Sequence, residues 1–245
     1  MFQIIYQNND FVVISKNENI NFHDEGLIGQ GLFSQLKSHL NNLKNTEISS
    51  SNSLENELYP VHRLDKMTSG LVIFAKNKAA AQIFGRLFSQ HSIEKYYLAI
   101  SDKKPSKKQG LISGDMAKSR RGAWKLLRST ENPAITQFFS YSIGNSKRLY
   151  LLKPHSGKTH QLRVALSSIG SPILGDELYH GKSSEPIDRG YLHAYALKFT
   201  YLDKQYEFIA PPTSGIEYLQ DTTQKMIKSI EQPWLLSWPK VKGKS

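Results

Sequence analysis

Val61-His62-Arg63-Leu64-Asp65-Lys66-Met67-Thr68-Ser69-Gly70-Leu71 carries a charged turn straight into an apolar run over residues 71–75. A short run of this kind behind a Gly reads as a strand. An acid beside cations at a strand mouth is a common place for a catalytic group on a rigid element. A turn with a surface ion pair is the plainer reading of the same spacing. Working outward, similar runs rich in Val, Ile, Tyr or Phe recur over 2–6, 11–15, 70–76, 95–101, 135–141, 148–153, Leu192–Tyr201 and 205–210. Helices are fewer. Leu32, Phe33, Leu36, Leu40 and Leu43 keep helical spacing. Asn77 can cap a helix over Lys78–Ser89 that turns Ile83, Phe84, Leu87 and Phe88 inward. Thr159 can cap another, with Leu162, Leu166 and Ile169 on one side and Gly170 as its stop. A last amphipathic segment runs over about 216–230. Strands and helices do not alternate regularly, which argues against a doubly wound parallel sheet. The expected class is α+β: a large, mixed, mostly antiparallel sheet flanked by helices and loops.

The chain has 245 residues, enough for one large domain without disulfide or metal staples. We expect a single domain over 1–230 and a basic tail over 231–245 that frays from Trp234 and ends in Lys240, Lys242 and Lys244. Cysteine is absent, which excludes disulfides, Cys-ligated zinc, iron–sulfur clusters and thiol catalysis, and suits a cytoplasmic setting. No apolar run approaches the ~20 residues of a membrane span, and the N-terminus does not read as a signal peptide. Lys and Arg exceed Asp and Glu by 32 to 21, a net +11. Polyanions are the natural partners of such a surface, nucleic acid ahead of anionic lipid. Much of the excess lies in residues 101–128, with Lys118, Arg120, Arg121 and Trp124 among glycines at 110, 114 and 122. Residues 45–57, rich in Ser, Asn and Glu, read as a solvated loop.

A second unusual stretch is Gly157-Lys158-Thr159-His160-Gln161-Leu162-Arg163-Val164, followed by Gly170-Ser171-Pro172-Ile173-Leu174-Gly175-Asp176. Here a turn opens a helix, and helix N-termini attract anions. The plainer reading is a capped helix with a solvated face. Ser156-Gly157-Lys158-Thr159 ends like a phosphate-binding loop, but position 152 is Leu where that pattern needs Gly. His155 and His160 have no convincing carboxylate beside them and read as hydrogen-bonded histidines, so no metal site is expected. His193, inside an apolar strand, reads as a satisfied core residue.

Residues 62–77, HRLDKMTSGLVIFAKN, resemble the active-site motif of the RluA-type RNA pseudouridine synthases. Residues 157–179 resemble the same family's later motif. The opening 4–16, the Lys95-x-Tyr97-x-Ala99 pattern and the Ala134-x-Thr136-x-Phe138 strand fit as well, in the family's order, over about residues 2–212. The resemblance implies a pseudouridine synthase fold and isomerisation of uridine to pseudouridine in structured RNA, rRNA or tRNA, without cofactor or metal. It places the catalytic aspartate at Asp65, the active-site tyrosine at Tyr97 rather than Tyr96, and the active-site arginine at Arg163. Arg63 is the residue linked to the flipped-out nucleotide. Lys158 and His160 join the RNA-binding set, and residues 101–128 correspond to a mobile loop that closes on RNA. Three departures bear on substrate grip: Ser15-Lys16-Asn17 stands where Asn-Lys-Pro is usual, Lys158 where Arg is usual, and Ala165 where His is usual. Lys keeps the charge but loses the bidentate fork. A monomer without a separate N-terminal RNA-binding domain is expected.

The implied roles make physical sense. A base must leave its stack before its glycosidic bond can be reached. Asp65 must be ionised to act, and a cation such as Arg163 would offset the desolvation of an enclosed carboxylate. Tyr97 offers a stacking face and a hydroxyl for proton transfer. Two other functions fit less well. One is a non-catalytic RNA-binding or ribosome-assembly module that kept the fold. The other is a glycosidic-bond hydrolase, which would need a second carboxylate, with Asp176 the only candidate.

Overall fold

Asn8 folds the first two strands into a hairpin, its Oδ1 accepting the backbone N–H groups of Asp10 (2.9 Å) and Phe11 (2.8 Å). The strands are β1 (Phe2–Gln7) and β2 (Phe11–Lys16), paired antiparallel. In the computed structural model, residues 1–47, 57–181 and 186–241 are described. They fall in two compact units, Met1–Ser92 and Ile93–Ser245.

In the first unit, β2 lies between β1 and β4 (Ser69–Ala75), and the short β3 (Tyr59–Pro60) meets the end of β4. Residues 11–14 and 71–75 have no exposed surface. Strands covered on both faces read as continuous apolar runs, as these do. Helix α1 (Leu32–Glu47) buries Leu32, Leu36 and Leu40. Helix α2 (Lys78–Ser89) is capped as expected, Asn77 Oδ1 accepting the N–H of Ala80 at 2.8 Å. Phe84 is its fully buried anchor, edge-on to Phe11 at 5.2 Å, while Ile83, Leu87 and Phe88 are half-buried.

The second unit is built on an antiparallel sheet. Its strands are β5 (Glu94–Ser101), β6 (Gln109–Gly114), β9 (Ala134–Gly144), β10 (Lys147–Pro154), β11 (Leu192–Tyr201) and β12 (Lys204–Ile209). β7 (Met116–Lys118) and β8 (Trp124–Leu126) form a separate hairpin. The spatial order is β12-β11-β5-β10-β9-β6. Asn145-Ser146 and Leu202-Asp203 join consecutive strands with positive φ at both residues, a conformation that matches the strands' own twist. Helices α3 (Gln161–Ser168) and α4 (Asp221–Ser229) complete the unit. The expected α+β class holds, and each anticipated strand is present.

Four details differ from the sequence reading. Thr159 does not cap α3: His160 takes that position with a left-handed backbone, φ 55°, and makes no side-chain cap. The last helix starts at Asp221, leaving Ile216 and Leu219 exposed. Residues 101–128 are not one irregular loop. They hold the sheet strand β6 and the β7–β8 hairpin, whose tip is a 3-10 turn over Arg120–Gly122. The chain does not fray at Trp234. Trp238 packs on Tyr96 (5.7 Å) and Phe139 (4.9 Å), and Pro239 accepts a bond from Gln137. The centre of the 45–57 loop and the lysines at 242 and 244 lie outside the described residues. Among the described residues, no helix is long and apolar enough to cross a membrane.

Candidate active site

Asp65 sits half-buried on a turn closed by the N–H of Thr68, which donates to the Asp65 carbonyl at 3.0 Å. Leu64 beside it is buried, and Arg63 is exposed to solvent. The turn is held from β2 by Lys16, whose residue is 1% exposed. Its Nζ donates to the carbonyls of Lys66 (3.1 Å), Asn17 (3.0 Å) and Ile20 (2.9 Å). A buried ammonium needs such partners, and these tie the Asp65 turn to the strand. His62 adds a second tie, its Nε2 accepting the N–H of Ile73 at 2.9 Å and its ring lying 4.7 Å from Phe88. Gly70, the second residue of β4, has φ 103°, where a side chain would be strained. Sequence reading missed Lys16 as an anchor; its signal was a lysine closing an otherwise apolar strand.

On β5, adjacent tyrosines part company, as strand alternation requires. Tyr96 is fully buried, its hydroxyl bonded to Glu94, its ring beside Trp238 and under Lys153 Nζ at 5.1 Å. Burial, then the bond to Glu94, pushes its hydroxyl well above the ordinary tyrosine range. Tyr97 is half-exposed between Leu152 and Ala194. Two residues back, Lys95 Nζ donates to the Ser156 carbonyl at 3.3 Å, and burial lowers its pKa.

The Gly157-Lys158 turn is fastened by Gln161, a second anchor that sequence reading passed over. Gln161 Oε1 accepts from Ser156 Oγ (2.8 Å) and Lys158 N (3.0 Å). Its Nε2 donates to the Ile135 carbonyl and Thr136 Oγ1, both at 3.0 Å. Arg163, in the first turn of α3, is 8% exposed and forks onto Asp176. Nε meets Oδ2 at 2.7 Å, and Nη2 meets Oδ1 at 2.8 Å. Asp176 is fully buried and also accepts the N–H groups of Leu178 (3.1 Å) and Tyr179 (3.3 Å). This pair fixes the plane of the guanidinium. It also occupies the one carboxylate a hydrolase reading had available. Gly175 makes the preceding turn possible: its φ is 76°, and a Cβ there would fall 2.1 Å from the Arg189 carbonyl oxygen.

The RNA-binding candidates divide by position. Lys118, Arg120 and Arg121 are exposed on the hairpin, with Arg121 at φ 55°. Trp124 and Lys158 are half-exposed, and His160 is bonded through Nδ1 to Tyr179 Oη at 3.1 Å. His155 pairs with Gln137 Oε1 at 2.5 Å, and His193 with the Ala210 carbonyl at 2.7 Å. Among the described residues, no three His, Asp or Glu side chains group as a metal site.

The sequence profile described as RNA pseudouridylate synthase matches residues 10–168. The chain belongs to that family, in its RluA-type branch, and is an isomerase. An RNA pseudouridine synthase of Haemophilus influenzae is 48% identical over 234 residues, covering 95% of this chain and 98% of that one. The dual-specificity RNA pseudouridine synthase RluA of Escherichia coli is 36% identical over 146 residues, covering 58% of this chain and 66% of that one. The solved structure of human RNA pseudouridylate synthase domain containing 4 shares the fold, with a TM-score of 0.71 at 24% identity, over 91% of this chain and 93% of that one.

Proposed function

We propose that the protein converts specific uridines of structured RNA, rRNA or tRNA, to pseudouridine, with residues 1–230 as the catalytic domain. The target nucleotide is flipped out of its stack, with Arg63 contacting the opened strand. The N1–C1′ bond breaks, the base turns, C1′ joins C5, the C5 proton passes to a base, and N1 takes up a proton, so the product is an isomer of the substrate. Asp65, ionised, is the carboxylate of this reaction. Tyr97 supplies a face for the uracil and a hydroxyl for the proton. Arg163 supplies a fixed positive charge. Lys118, Arg120, Arg121, Trp124, Lys158 and His160 grip the RNA, and the protein works in the cytoplasm as a monomer.

The observation that carries this reading is the Asp65 turn: the residue is half-buried, and bonds from Lys16 and Thr68 hold its backbone. A catalytic group must be held to within a fraction of an ångström, and a surface ion pair needs no such support. The test is Asp65→Asn, nearly isosteric but uncharged. Incubated with total RNA from cells lacking the gene, wild-type protein restores pseudouridine at its sites. The variant binds the same RNA and forms none. Pseudouridine formed by a clean Asp65→Asn preparation removes Asp65 from the mechanism. RNA binding without any product from wild-type protein favours the non-catalytic module.

A further inference from the structure

Tyr179 lies in the segment after α3 and has no part in the chemistry above, yet three elements of the second unit meet on it. Its hydroxyl accepts the backbone N–H of Trp124, the first residue of β8, at 2.8 Å. The same oxygen lies 3.1 Å from Nδ1 of His160, the residue that opens α3. Its ring lies 5.1 Å from the guanidinium carbon of Arg163, within cation–π range, and edge-on to the His160 ring at 5.8 Å. Its own N–H donates to the Asp176 carbonyl at 3.2 Å and to Oδ1 at 3.3 Å. The basic hairpin and the Arg163–Asp176 pair are therefore joined through one side chain.

We propose that Tyr179 is a positioning residue that couples RNA seated on the β7–β8 hairpin to the placement of Arg163. The inference rests on the functional reading above. Its physical basis is the division of labour within the side chain. The ring holds the arginine, and the hydroxyl holds a backbone donor of the hairpin. Phosphates engaging Lys118, Arg120 and Arg121 load the hairpin, and its backbone hands that load to the Tyr179 hydroxyl. Because Tyr179 touches both Arg163 and Asp176, a small shift of the tyrosine moves the ion pair as a unit without breaking it. Hairpin contacts then serve turnover as well as affinity.

Tyr179→Phe tests this, since it keeps the ring beside Arg163 and removes the hydroxyl with its bonds to the Trp124 N–H and to His160. Single-turnover rates at saturating RNA, RNA affinity and melting temperature are measured for four proteins. These are wild type, Tyr179→Phe, the hairpin variant Lys118→Ala/Arg120→Ala/Arg121→Ala, and the combination. Loss of the hydroxyl's bonds to the Trp124 N–H and to His160 should slow Tyr179→Phe roughly two- to tenfold at saturating RNA, with affinity within about twofold of wild type. The hairpin changes should lower the saturating rate in wild type and have no further effect on that rate in Tyr179→Phe, a non-additive cycle. A merely structural tyrosine lowers the melting temperature but gives rate effects that multiply. Multiplying effects, or a change confined to affinity, overturn the proposal. Tyr179→Leu, which also removes the ring, should slow the rate by a further ~10-fold; a rate equal to that of Tyr179→Phe denies the ring its role. If Asp65→Asn remains active, the functional reading fails first. If Asp65→Asn is dead and the cycle is additive, only the coupling falls.

Discussion

Asp176→Asn should destabilise the protein more than any exchange of an exposed carboxylate. Asp176 is fully buried and takes two charge-assisted bonds from Arg163, at 2.7 and 2.8 Å. An amide has one oxygen to offer, so one arm of the fork would face an NH2 group. The buried guanidinium would also lose its counter-charge. Breaking a buried pair from one side costs about 3–5 kcal/mol. For a chain of this size each kcal/mol moves the melting temperature by ~2–4 °C, so a fall on the order of 10 °C is expected. The Lys198–Glu207 pair is a control within the same unit: at 2.9 Å it is nearly as short, but both partners are partly exposed. Glu207→Gln should cost less than ~1 kcal/mol. Calorimetric melting of purified variants reads both. The double change Arg163→Met/Asp176→Leu should recover most of the loss, because a packed apolar pair avoids the desolvation of two charges. Under the proposed mechanism it stays inactive. An Asp176→Asn protein that melts within ~2 °C of wild type refutes the reasoning, since the pair would then not carry the segment.

Tyr97→Phe should lower turnover by ~10²–10⁴ with little change in RNA binding. Tyr96→Phe, which loses a bond to Glu94 in the core, should instead cost about 1 kcal/mol of stability and spare turnover; the reverse pattern in paired assays would show that the register is misassigned. Lys16→Met leaves the carbonyls of Lys66, Asn17 and Ile20 without their donor, so turnover should drop at least ~10-fold while RNA affinity holds, a split that steady-state kinetics would show or deny. Replacing Lys118, Arg120 and Arg121 with Ala should flatten the salt dependence of RNA binding by ~0.7–0.9 for each phosphate no longer neutralised. An unchanged slope across a salt titration would return those side chains to the status of solvated charge.

The strands were legible because a covered strand leaves a period-free apolar run, and residues 11–14 and 71–75 are such runs. The α2 cap was legible because Asn77 acts on the N–H three residues on, a local interaction. The α3 cap was misread for the opposite reason. Thr159 has the right chemistry, but Gln161 reaches back across the turn to Ser156, Ile135 and Thr136 and sets the backbone that puts His160 in the left-handed region. The basic stretch 101–128 was expected as a mobile loop, yet β6 gains order by pairing with β9. Ladder bonds from a distant strand do not show in local sequence.

By itself, then, the sequence determined the α+β class, the polyanion-seeking charge and the motifs that carry the family resemblance. Each depends on composition or on residues a few positions apart. Only the tertiary structure decided what holds those motifs. Lys16 and Lys66 are 50 residues apart and Trp124 and Tyr179 are 55, yet each pair shares a hydrogen bond. Arg163 meets Asp176 across a helix end and a turn that needs Gly175. Such contacts are set by where the chain returns in space, and burial then makes each partner obligatory, because a polar group removed from water must find its bond inside the protein.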